Sequence, residues 1–78
     1  METARIRPTY NVHRLVDDMA LKGWMNTDLA RAADVSSMTV TRFLRGEAQT
    51  ARTAERFARA LGYSVRRYLI SSSTEAVA

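Results

Sequence analysis

The run from Ser36 to Gly46, SSMTVTRFLRG, places hydroxyls, a methionine and two arginines where a small domain would ordinarily carry Glu, Lys and Ala. Hydroxyls donate and accept hydrogen bonds, and arginine forks onto paired acceptors such as a phosphate or the edge of a guanine. This is chemistry for reading a surface. Chemistry for breaking bonds is thin elsewhere: His13 is the single histidine, cysteine is absent, and no carboxylates converge in a pocket motif. No enzymatic activity, catalytic residue, cofactor or metal is expected, because one histidine without thiolates cannot assemble a zinc site.

The 78 residues, 46% hydrophobic and 26% charged, suffice for one domain with a modest core and are too apolar for a disordered chain. Twelve basic against eight acidic residues give a net charge of +4, and Lys22 is the only lysine among them. That balance suits an anionic partner; it is equally the mark of GC-rich codon usage, which also favours Ala and Arg. The opening METARIRP lacks the apolar core of a signal peptide, and no run reaches the roughly 20 apolar residues of a membrane span. A cytoplasmic protein with no membrane partner is expected.

Stepping from chemistry to scaffold, residues 1–9, with Arg5, Arg7 and Pro8, read as a flexible basic arm. Residues 10–70 read as the folded domain, and the small, polar residues 71–78 as a disordered tail. Asn11 is placed to cap a first helix whose stripe is Val12, Leu15, Val16 and Met19; Lys22 stands in its last turn and Gly23 closes it. Trp24 follows as a plug between the first two helices, while His13 reads as a polar-face residue. A second helix from about Asn26 to Ala33 turns Leu29, Ala30 and Ala33 inward, and Asp34 and Val35 reverse the chain. Ser36 caps a third helix that ends at Gly46. Thr50 caps a fourth, striped by Ala54, Phe57, Ala58 and Leu61 and ended by Gly62, and Ser64 caps a last short helix through Val65, Tyr68 and Leu69. No segment sustains a period of two, so no sheet is expected and the fold class is all-α with five helices.

At about 100° per residue, Phe43 and Leu44 lie within about 60° of Val40 on the third helix, while Met38, Thr41, Arg42 and Arg45 lie about 100–200° away. Val40, Phe43 and Leu44 anchor the helix, and the outward face, led by Ser37, is hydroxyl-bearing and basic. Counting from Asn26, Ala30 is fifth, Asp34 ninth, Val40 fifteenth and Phe43 eighteenth. With these offsets NTDLARAADVSSMTVTRFLRG resembles the helix-turn-helix of the phage Cro and repressor, or Xre-like, family, and RFARALGYSVRRYL resembles its fourth and fifth helices. The likeness spans about residues 10–70 and implies a compact five-helix domain of the lambda-repressor type. Physically, two helices crossing steeply after a short turn need a small residue at Ala30, with Leu29, Val40 and Phe43 filling the wedge. A third helix about 13 Å long then suits a major groove about 12 Å wide.

The family usually has Gly where Asp34 stands, a capping Ser or Thr where Met25 stands, and acidic residues where Arg66 and Arg67 stand. Chemistry and position together assign Ser37, Met38, Thr41 and Arg42 to base edges: Arg42 can fork onto guanine, and Met38 and Thr41 can meet a thymine methyl. The alternatives are a core position for Met38, if the helix is rotated, and a phosphate for Arg42. Asn26 aligns with a family glutamine that holds a phosphate, and it can also cap the second helix. Thr39, Arg45, Gln49 and Arg52 complete the phosphate-binding candidates, and Arg5 and Arg7 are possible arm contacts.

The resemblance implies a sequence-specific transcriptional regulator, of the phage repressor type, that places helix 36–45 in the major groove of double-stranded DNA. It also implies a homodimer on a pseudo-palindromic operator, with Tyr68, Leu69 and Ile70 either joining two copies or, for the first two, filling the monomer core. Two other functions suit the same fold: an antitoxin-like protein that binds DNA and neutralises a partner toxin, and a phage architectural or excision protein that bends DNA.

Overall fold

The computed structural model describes residues 9–71. Arg5 and Arg7, like residues 72–78 of the expected tail, lie outside the described residues. In chain order the elements are β1 (Thr9–Tyr10), α1 (Val12–Leu21), α2 (Asn26–Ala33), α3 (Ser37–Leu44), α4 (Ala51–Leu61), a single 3-10 turn (Val65–Arg67) and β2 (Leu69–Ser71). None of the helices described is long and apolar enough to cross a membrane.

The helices begin where capping side chains stand. Asn11 accepts from the Arg14 N–H, Ser36 from the Thr39 N–H and Thr50 from the Thr53 N–H, each relieving one of the orphan donors of a first turn. Gly62 ends α4 at φ +91° in the left-handed conformation that costs glycine nothing. The core is built around three aromatic rings from three elements. Phe43 of α3 meets Phe57 of α4 edge-on at 5.0 Å between centroids, and Tyr10 of β1 leans on the other side of Phe43 at 5.6 Å. Leu15, Leu29 and Val40 fill the space around them, all buried.

The all-α class holds, with four helices, and four details of the sequence reading need correction. The expected fifth helix is one 3-10 turn, after which the Asn11 N–H donates to the Tyr68 carbonyl at 2.7 Å and the chain leaves extended. A minimal antiparallel ribbon results, with Tyr10 opposite Leu69, Thr9 opposite Ser71, and Ile70 as the extra residue between them. Strands of two and three residues are too short to display an alternation, so a wholly sheet-free chain was the natural expectation. Thr9 and Ser71, placed in the arm and tail by composition, thus belong to the ribbon. Lastly, Val16 is 44% exposed, because the buried face of α1 consists of Leu15, Asp18 and Met19. Val16 stands one residue, about 100°, round from Leu15. The alternatives left open for the C-terminal apolar residues also separate: Tyr68 is buried, while Leu69 and Ile70 are 41% and 58% exposed.

Candidate nucleic-acid interface

The corner between α2 and α3 depends on one backbone conformation. Asp34 ends α2 at φ 61°, ψ 47°, the left-handed region that asparagine and aspartate tolerate better than other side chains. The Val35 N–H then reaches back to the Ala30 carbonyl at 2.9 Å, closing the last turn. Ala30 itself is buried, as close approach of the two helices requires. The corner has a further support from α4: Arg56 donates through Nη1 to the carbonyls of Ala33 and Asp34 at 3.3 and 3.4 Å. A cation there also faces the negative end of the α2 dipole.

From this corner α3 runs with its two faces as expected. Val40 and Phe43 are buried and Leu44 is half-buried. Ser37, Met38 and Arg42 face solvent, Met38 with 54% of its surface, and Thr41 is half-buried beside them. The rotated-helix alternative that would bury Met38 is thereby excluded. Among the described residues Arg42 has no ion-pair partner, so its guanidinium is available to another acceptor. The Thr41 hydroxyl is not equally available, since it donates to the Ser37 carbonyl one turn back at 3.1 Å.

The phosphate candidates divide. Asn26 is the first residue of α2 and half-buried; the capping position belongs to Met25, so the reading of Asn26 as an N-cap is corrected. Met25 has no capping side chain, yet its own N–H donates to the Asp28 carboxylate at 2.8 Å, which fixes the start of the helix from inside. Thr39 shares a hydroxyl-to-hydroxyl bond of 3.0 Å with Ser36 at the head of α3, and one of their two protons remains for an outside acceptor. Arg45 is exposed and lies 4.0 Å from Glu47, a surface pair of little strength. Gln49 gives an amide N–H to the Phe43 carbonyl at 2.8 Å, closing the C-terminus of α3 and retaining one N–H for a phosphate. Arg52 is exposed near the start of α4 and lines a groove with Arg56 and Arg59 against Ala32 and Ala33 of α2.

Sequence reading missed a second polar cluster. Asp18 is 2% exposed, and both its oxygens are bonded: Arg67 donates through Nε at 2.7 Å and Nη2 at 2.8 Å, and the Tyr68 hydroxyl donates at 2.6 Å. Arg67 holds the carboxyl below its usual range, against the opposing effect of burial. Burial pushes the Tyr68 hydroxyl up, and its bond to Asp18 pushes it the same way. The cluster ties α1 to the 3-10 turn and so holds the ribbon, with Tyr10, beneath Phe43. An acid in the stripe between Leu15 and Met19 was the available signal.

The family model for the Cro/C1-type HTH DNA-binding domain matches residues 14–66, most of the chain, from within α1 to within the 3-10 turn. No curated protein and no solved structure matches it.

Proposed function

The chain belongs to the Cro/C1-type helix-turn-helix DNA-binding family, and from that premise we propose that it is a sequence-specific transcriptional regulator of the repressor type. Its α3 would enter the operator major groove and, by occupying the site, exclude polymerase. The observation that carries this reading is the division of α3: Ser37, Met38 and Arg42 are free on the outside of a helix whose inner side is fixed by Val40 and Phe43. A free guanidinium and an uncovered methionine on one short helix suit base edges, since Arg forks onto guanine O6 and N7 and apolar groups meet the thymine methyl.

Asn26, Thr39 and Arg45 flank that face and are assigned to the DNA backbone, with Gln49 and Arg52 as further contacts from the loop and from α4. One module of this kind covers only about 600–1,000 Å² of protein surface on DNA, so tight binding calls for two copies on half-sites about 34 Å apart. The exposed Leu69 and Ile70, on the strand that closes the fold, offer apolar surface for joining them. Random-site selection tests the reading: the wild-type chain enriches a motif, and Arg42→Ala combined with Met38→Ala relaxes it, each arginine fork being worth about 1–3 kcal/mol. Failure to enrich any motif, or a motif untouched by the double substitution, rejects the assignment.

A further inference from the structure

The outward face of α3 looks hydroxyl-rich in sequence, but only the Ser37 hydroxyl is wholly unengaged. Thr41 donates its one proton to the Ser37 carbonyl, and Ser36 and Thr39 bond to one another at the head of the helix. With the Thr41 oxygen engaged along the helix, its methyl is the branch left unengaged on this part-exposed residue. Beside it stands the uncovered Met38 side chain, and Arg42 lies one turn on from Met38 along the same face. The segment SMTVTRFL contains no carboxylate, the side chain that would select the amino group of a cytosine; its hydroxyls, which both donate and accept, can meet that amino group or the thymine carbonyl alike. Beside the undiscriminating Ser37 hydroxyl, what remains is a pair of apolar groups next to a guanine-forking cation.

We propose that Met38 and Thr41 recognise the 5-methyl group of a pyrimidine neighbouring the guanine held by Arg42, so that methylating a cytosine at that position strengthens binding. The proposal rests on the DNA-reading function and specifies what the reading surface senses. Thymine and 5-methylcytosine present the same methyl in the major groove and differ in the exocyclic group, between which the free Ser37 hydroxyl, able to donate or accept, does not discriminate. The protein is therefore a reader of the methyl rather than of the base that carries it.

The test uses random-core duplex pools in three forms: ordinary DNA, DNA with uracil replacing thymine, and DNA with 5-methylcytosine replacing cytosine. From ordinary DNA the chain enriches a motif with thymine beside guanine. Uracil at that position weakens binding about fourfold, as expected for one buried methyl group, and 5-methylcytosine there binds more tightly than cytosine by a similar factor. Thr41→Val, which keeps a methyl, retains the preference, and Thr41→Ser, which removes it, reduces it. A motif that is enriched but indifferent to uracil and to cytosine methylation overturns the methyl inference and leaves the DNA-reading function standing. So does a preference kept by Thr41→Ser and lost by Thr41→Val. Absence of enrichment from all three pools overturns both.

Discussion

At the scale of single residues, Asp18 has the largest effect on the fold for the least visibility in the sequence. Its carboxyl is held low chiefly by the hydrogen bonds from Arg67, so the folded chain binds a proton there less readily than the unfolded one. The stabilisation is therefore whole above the ordinary carboxylate range, about pH 4, and is lost as pH falls through the lower folded value. Asp18→Asn should destabilise the domain at neutral pH, and the gap from wild type should narrow as pH is lowered below about 4. Thermal melts between about pH 7 and pH 2 measure this, and a gap that stays constant into acid would contradict the assignment. At the basic end the Tyr68 hydroxyl, held high, contributes stability that is whole below its ordinary value near pH 10 and declines above it. Arg42 and Met38 were legible from their angle on a helix, whereas Asp18 and Arg67 were not. Periodicity sorts apolar from polar positions but does not pair a buried acid with a cation 49 residues away.

At the scale of elements, α3 is set by its ends as much as by its buried side. Ser36 supplies the first bond and engages Thr39 as well, so Ser36→Ala should cost about 1 kcal/mol of stability in a denaturant titration, the usual worth of a capping hydroxyl. It should also lower DNA affinity if Thr39 is thereby freed to move. An unchanged denaturation midpoint would show that the cap is idle. Caps were the best predictors of helix starts here: Asn11, Ser36 and Thr50 all stand where a short polar side chain followed by a striped segment foretold them. The terminal element was illegible for an opposite reason. Ser64 caps it as expected, but the backbone then pairs with β1, more than fifty positions earlier, and this long-range contact overrides the local tendency to continue as a helix. Likewise Arg56 and Gln49 act on backbone carbonyls of other elements, a role that no spacing rule encodes.

At the scale of the molecule, a small core of a few rings supports a surface with an excess of arginine. That excess predicts how binding responds to its surroundings. Affinity for the selected operator should fall steeply between about 50 and 200 mM salt, with a slope on logarithmic axes that Arg45→Ala makes shallower by about one. Affinity insensitive to salt would mean that phosphates are not being neutralised, and the DNA-binding mechanism would fail with it. Fluorescence or sedimentation titration across protein concentration would show two copies per operator if the half-sites are filled as proposed.

The ribbon that closes the fold also brings the two ends of the described backbone together. Because Thr9 lies opposite Ser71, the described backbone is nearly a ring, and Val40 stands diametrically across it from the point where the ends meet. The order of the helices is then largely a matter of where that ring is cut. A short bridge between β2 and β1, with a new opening at the exposed Gly23, would preserve every helix and move both ends of the protein to the far side of its sequence. The domain is a natural candidate for circular permutation, and for insertion as a single unit into a loop of another protein.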